Sequence, residues 1–130
     1  MDNISSWVRQ ARHRAKKHEV PSSLTIFEAT DVLSYYNHVC AYCGKPGETL
    51  DHAMPLSEGG PNVQGNIMPC CRHCKFLKRN RSLVWMFGEG MISEEKYIEL
   101  VGHMLSRSGA DDVRTILRRA VGYISEDNNG

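Results

Sequence analysis

The chain has 130 residues, of which 41% are hydrophobic and 24% are charged, with a formal net charge of +1. The length suits one modest core, because domains run to about 100–200 residues, and the composition excludes disordered and collagen-like chains. Its apolar stretches are far shorter than the about 18 residues that span a bilayer, and the first ten residues lack the apolar stretch of a secretory signal. We therefore expect a cytoplasmic protein without a membrane span.

The small net charge hides an uneven distribution. Residues 1–88 contain eleven Lys and Arg against seven Asp and Glu, whereas residues 89–130 contain five against eight. The cations of the first part concentrate in two runs, which are Arg9, Arg12, Arg14, Lys16 and Lys17, then Arg72, Lys75, Lys78, Arg79 and Arg81. Such clusters attract phosphate backbones, although two solvated helix faces would give the same pattern.

The N-terminal part of the chain predicts two helices. Apolar residues recur at helical spacing over residues 4–15 with basic residues between them, which predicts an amphipathic basic helix that ends before Pro21. Thr25 and Glu28 have the spacing of a capping box, and they predict a second helix that ends near Tyr36.

The middle of the chain, residues 38–81, has short apolar pieces separated by Gly, Pro and Asn, too few to hold a module together unaided. Beyond it, Ser93 predicts a helix that ends around Gly109, and Asp111 opens a last helix that reaches about Ile124. We expect these two helices to pack on the central segment. The predicted organisation is one domain, with an N-terminal helical extension at 1–37, a core at 38–81, a C-terminal helical pair at 82–125 and a tail at 126–130.

Five cysteines suggest a metal site. Cys40 and Cys43 form one C-x-x-C pair and Cys71 and Cys74 another, with twenty-seven residues between the pairs. Four thiolates in two such pairs are typical of a closed, structural zinc site, and a cytoplasmic compartment disfavours disulfides. Cys70 is the odd cysteine, and we interpret it as a small buried side chain. A ligand pair formed by Cys70 and Cys74 remains open.

A second motif lies between the cysteine pairs. It comprises the dipeptide Asp51-His52, the loop sequence Pro55-Leu56-Ser57-Glu58-Gly59-Gly60 and, further on, Asn66. In kind, order and spacing, these elements and the cysteines resemble the HNH endonuclease family in its zinc-containing form, over about residues 39–81. The resemblance implies an α+β fold. A small ββα-metal module would carry Asp51 and His52 on a hairpin and begin its helix near Cys71, here flanked by N-terminal and C-terminal helices.

The resemblance also implies a metal-dependent DNA endonuclease. His52 would be the general base, Asp51 would bind catalytic Mg²⁺ or Mn²⁺, and Asn66 would tie the loop to the hairpin and orient His52. Phosphodiester hydrolysis needs a base that titrates near neutrality and a hard cation held by oxygen, which these residue types supply. Strand alternation would point two neighbours to opposite faces, so their convergence follows from the resemblance alone.

One position departs from the family pattern. The residue after the last cysteine, a His or Asn metal ligand in the family, is Lys75, which has donors but no acceptor. Three explanations stay open. Water takes the vacant position while Lys75 contacts the phosphate; His73 or Asn80 supplies the ligand; or the protein binds without cleaving.

The expected partner is DNA, contacted through the two basic runs: Arg9, Arg12, Arg14, Lys16 and Lys17, with Arg72, Lys78, Arg79 and Arg81. Small family members of this build often come from bacteriophages. The resemblance therefore implies phage packaging proteins or other phage proteins as further partners, and the host cytoplasm as the location. Two other classes compete: a zinc module that binds DNA or a protein without catalysis, and a thiol redox protein. Tightly bound zinc disfavours the second class.

Overall fold

The computed structural model describes residues 3–109 together with Asp112 and Arg114. This part contains α1 Asn3–Lys17, α2 Ile26–Tyr35, β1 Thr49–His52, β2 Ile67–Cys70, α3 Arg72–Lys78, α4 Leu83–Gly88 and α5 Glu94–Ser106. The predicted α+β class is confirmed. The last predicted helix and the tail lie outside the described residues, apart from those two positions. No described helix combines the length and the apolar character that a membrane crossing requires.

Both predicted N-terminal helices are present. α1 buries Val8, Ala11 and Ala15, and its basic residues remain exposed, as an amphipathic pattern requires. The capping box of α2 is complete: the Thr25 hydroxyl accepts a hydrogen bond from the Glu28 amide at 3.1 Å, and the Glu28 carboxylate accepts one from the Thr25 amide at 2.9 Å.

An antiparallel hairpin, β1 paired with β2, lies at the centre of the described structure. Its register sets Asp51 opposite Met68 and His52 opposite Ile67. The chain then enters α3, where the Cys71 sulfur caps the helix by accepting a hydrogen bond from the Cys74 amide at 3.4 Å. The hairpin and the helix after it give the ββα arrangement that the resemblance implied.

Two groups of buried apolar residues flank the hairpin. One joins α1 and α2 to the sheet through Val8, Val32, Leu33, Leu50 and Ile67. The other joins the cysteine pairs to α4 and α5 through Cys40, Met68, Met86, Leu100 and Met104. The site residues on β1 are therefore held from both sides by packed helices.

The C-terminal elements differ in part from the prediction. Ser93 caps α5 as expected, accepting a hydrogen bond from the Lys96 amide at 3.0 Å, and the helix ends three residues before Gly109. α4 was not predicted, because its six residues are too few to show a helical period. Its cap is local: Ser82 accepts a hydrogen bond from the Trp85 amide at 3.2 Å.

Candidate active site and zinc centre

The two cysteine pairs meet in one cluster. One sulfur from each of Cys40, Cys43, Cys71 and Cys74 lies within 4.8 Å of the others, and the Cys43 and Cys71 sulfurs are 3.7 Å apart. Four sulfurs at this spacing fit a tetrahedral Zn²⁺ with no ligand position left for chemistry. Cys70 is buried next to the cluster and donates to the Cys71 carbonyl at 3.3 Å, so it is not one of the four.

Local backbone geometry shapes the cluster. Gly44 has a φ of +81° and its amide donates to the Cys40 carbonyl at 2.9 Å, which closes a tight turn around the first pair. Burial, followed by the charge of Cys40, raises the pKa of the Cys74 thiol above its usual range. A bound dication would reverse this effect by stabilising the thiolates.

A cleft of about 280 Å³ opens beside β1. It is lined by Trp7 and Arg14 from α1 and by His18 just after it, by Leu50, Asp51 and His52 from β1, by Pro55, Leu56 and Ser57 from the loop, and by Lys75, Arg79 and Asn80 around the end of α3. Asp51 and His52 therefore reach the same cleft, although they are neighbours on a strand.

The His52 imidazole is buried and held by one directional hydrogen bond. Its Nε2–H donates to the Asn62 side-chain oxygen at 2.9 Å, and the Asn62 amide nitrogen donates to the Ser22 hydroxyl at 2.9 Å. An amide oxygen only accepts, so Nε2 carries the proton and Nδ1 keeps its lone pair. Burial lowers the pKa of His52 to about 4, so the ring is neutral at pH 7.

Asn66 is predicted to tie the loop to the hairpin and to orient His52. Asn66 does tie the loop to the hairpin, donating to the carbonyls of Met54 and Pro61 and accepting from the Met54 amide. The direct partner of His52, however, is Asn62. Gly60 allows this compact loop, because a Cβ there would lie 2.6 Å from the Met54 carbonyl carbon.

Asp51 is buried and already paired on one oxygen. Its Oδ2 accepts from the Tyr42 hydroxyl at 2.8 Å and lies 2.9 Å from the Lys78 ammonium. Burial and then the Asp51 charge raise the pKa of Tyr42 well above its usual range, so Tyr42 remains a donor. Removing the carboxylate would leave a buried ammonium unpaired, which costs about 3–5 kcal/mol.

The prediction that Lys78 contacts DNA is wrong for this structure. Lys78 is fully buried, pairs with Asp51 and donates to the His52 carbonyl at 2.8 Å. A lysine in a basic run is expected to be exposed. Lys78 instead lies on the helix face that packs on β1, where it neutralises the buried carboxylate.

Lys75 lines the cleft at the position that departed from the family pattern. Its ammonium donates to the Leu50 carbonyl at 2.8 Å and lies 3.5 Å from the Thr49 hydroxyl. Burial lowers the pKa of Lys75, an effect that the nearby Asp51 partly offsets. Of the two replacement ligands considered, Asn80 lines this cleft, whereas His73 is exposed on α3 and is not among the lining residues.

The family model of the HNH endonucleases matches residues 40–81, which include both cysteine pairs, Asp51, His52 and Lys75. We call residues 40–81, which match this family model, the HNH module. A search of curated proteins found no match to the chain. Both helices of the N-terminal part lie outside the matched residues, although α1 contributes one wall of the cleft.

The predicted basic residues surround the HNH module unevenly. Arg14 and Arg79 line the cleft. Arg72 is exposed and lies 3.6 Å from the Glu48 carboxylate, and Arg81 stacks over Trp85 at 4.3 Å. The remaining predicted contacts on α1, which are Arg9, Arg12, Lys16 and Lys17, are exposed and do not line the cleft.

Two cleft residues, Trp7 and His18, and the hydrogen-bond partner of His52, Asn62, were missed from the sequence. Trp7 and Arg14 lie on one stripe of α1, and His18, the first residue after the helix, continues it, because residues 7, 14 and 18 recur at helical spacing. That spacing could have indicated them. Asn62 carries no comparable signal, since its contacts with His52 and Ser22 join segments that are distant in sequence.

Proposed function

We propose that the HNH module hydrolyses phosphodiester bonds in DNA with His52 as the general base. The observation that carries this proposal is the state of the His52 ring. Its Nε2–H donates to the buried Asn62, which does not line the cleft, so the basic Nδ1 is the nitrogen left to accept a proton from water. Because the ring is neutral at pH 7, the base is available without prior deprotonation.

The donor set fits Mg²⁺ or Mn²⁺ bound through few protein ligands. Within the described residues, Oδ1 of Asp51 takes part in no hydrogen bond or ion pair, and the Asn80 amide lines the same cleft. Mg²⁺ is commonly held by one or two carboxylates, several waters and the substrate phosphate. When bound there, the cation would neutralise charge that develops on the phosphate and the leaving oxygen.

The cationic side chains of the cleft would bind the scissile phosphate. Arg14 of α1, Lys75 of α3 and Arg79 just after α3 line the cleft. The one acidic residue among the lining residues, Asp51, is neutralised by Lys78. Preorganised positive charge in a partly closed site stabilises a phosphoryl transition state more than the same charge in water does.

The proposal is tested with purified, zinc-loaded protein on three matched substrates: double-stranded DNA, single-stranded DNA and RNA. We expect Mg²⁺-dependent cleavage of DNA. EDTA should stop this cleavage by removing Mg²⁺ before it removes the bound zinc. Cleavage of RNA alone would contradict the choice of DNA, and cleavage that is equal with and without Mg²⁺ would contradict the metal.

Replacing Lys75 with asparagine is expected to lower cleavage by about two orders of magnitude, the loss typical of one transition-state contact of about 3 kcal/mol. Single-turnover rates measure the effect. Lys45→Asn is the matched control, since Lys45 is a lysine outside the cleft. Tighter Mg²⁺ binding with faster cleavage by the variant would show instead that a metal ligand serves better than a lysine at position 75. An inactive wild type beside an active Lys75→Asn protein would identify a silenced nuclease that only binds.

Arg14→Gln is expected to weaken DNA binding and to reduce the salt dependence by about 0.9 log unit per lost phosphate contact. Its control is Arg12→Gln combined with Lys16→Gln, two exposed residues of α1 that do not line the cleft. We expect the double variant to lose less affinity than the single one. A salt titration of Kd measures both, and an unchanged slope for Arg14→Gln would remove α1 from the interface.

A further inference from the structure

Trp7 of α1 lies directly against the His52 ring. The two ring centroids are 5.1 Å apart and the planes are inclined by 28°, which is a stacked arrangement. The Lys75 ammonium lies 6.0 Å from the centre of the same indole. Trp7 therefore touches both cleft residues whose chemistry matters most, although it lies outside the residues that match the HNH family.

The indole contacts its neighbours through the faces of the ring, and its Nε1–H makes no hydrogen bond within the described part of the chain. Among the described residues, the Trp7 Nε1–H is the one buried side-chain nitrogen or oxygen without a hydrogen-bond partner. Buried polar groups usually have partners, so a hydrogen bond of Nε1–H does not account for the placement of this indole. The geometry of Trp7 is explained by the ring stack.

We propose that Trp7 is a positioning residue for His52, which makes α1 part of the catalytic unit. The inference rests on the proposed role of His52 as the general base. The hydrogen bond from Nε2 to Asn62 fixes one direction of the imidazole but does not by itself prevent rotation of the ring plane. A flat aromatic surface against the ring removes this rotation and fixes where the Nδ1 lone pair points.

The supports of Trp7 are rigid. α1 is anchored by Val8, Ala11 and Ala15, which are buried against the rest of the protein. On the other side, Ser22 holds the Asn62 amide so that its oxygen faces His52. The N-terminal part of the chain thus constrains the imidazole from two directions, through a stack and through a hydrogen bond.

Trp7→Leu and Trp7→Phe test the proposal. Leucine keeps apolar bulk without a ring, and phenylalanine keeps a ring face. Trp85→Ala is the matched control, because Trp85 is also partly buried but lies on α4 beside Arg81. We expect Trp7→Leu to lower kcat by about tenfold to a hundredfold with little change in KM, as misplacement of a catalytic group does. Trp7→Phe and Trp85→Ala should retain most of the wild-type kcat.

A second readout does not depend on activity. NMR of the His52 side chain should show a slowly exchanging Nε2 proton in the wild type and in Trp7→Phe, and should lose it in Trp7→Leu. If the wild type cuts no DNA, the proposed function fails while this readout still decides the role of Trp7. An unchanged His52 signal in folded, zinc-loaded Trp7→Leu would overturn the proposal. Failure of Trp7→Leu to fold would also overturn it, by making Trp7 a core residue.

Discussion

His52→Ala is expected to lower the cleavage rate by about 10² to 10⁴, the contribution of a general base, while Kd for DNA changes little. The reason is that His52 is 6% exposed, so it offers the backbone of DNA almost no surface, whereas the cleft arginines are exposed. Single-turnover rates at saturating DNA measure the chemical step, and equilibrium binding without divalent cation measures the affinity.

The control for this experiment is His18→Ala, which removes a second imidazole from the same cleft wall. His18 is exposed just after α1, and no side-chain hydrogen bond like that of His52 to Asn62 holds it among the described contacts. We expect it to retain most of the activity. If His52→Ala lost binding and cleavage in equal measure, His52 would be a structural residue of the loop.

Cys71→Ser is expected to unfold residues 38–81, because it removes one of the four zinc ligands, whereas serine can still cap α3. Zinc binding contributes on the order of 10 kcal/mol to modules of this kind, more than the net stability of a typical domain. Metal analysis should show about one zinc per wild-type chain and none in the variant. Circular dichroism should show the loss of cooperative unfolding.

Cys70→Ser is the matched control, since Cys70 is equally buried and adjacent in sequence but lies outside the group of four sulfurs. Cys70→Ser should keep the zinc stoichiometry and lower the Tm only modestly. Full folding and activity of the wild type after complete removal of zinc would contradict the structural role of the metal.

The cysteine cluster and the hairpin could be predicted because their evidence is local. Two C-x-x-C pairs specify a ligand set almost independently of the surrounding chain, and the motif between them fixes the order of strand, loop and helix. The convergence of Asp51 and His52 could not be derived from alternation. His52 is the last residue of β1, where the chain leaves the regular strand and alternation no longer fixes the direction of a side chain.

The errors concern contacts between distant segments. Asn62 and Asn66 are both loop asparagines, and only the folded loop shows which one contacts His52. Lys78 was misjudged because charge predicts exposure unless a buried partner is known. The spacing of Lys75 and Lys78 on one face of α3 was the available signal, since that face packs on β1.

The central claim is that the cleft around Asp51 and His52 is a phosphodiesterase site, and conversion of supercoiled plasmid by zinc-loaded protein tests it most directly. The assay compares wild type with His52→Ala, purified in the same way, with Mg²⁺, with Mn²⁺ and with neither. We predict nicked or linear plasmid for the wild type with either cation, and at least about a hundredfold less product for the variant. A folded wild type that binds DNA and cuts nothing with Mg²⁺ or Mn²⁺ would contradict the claim.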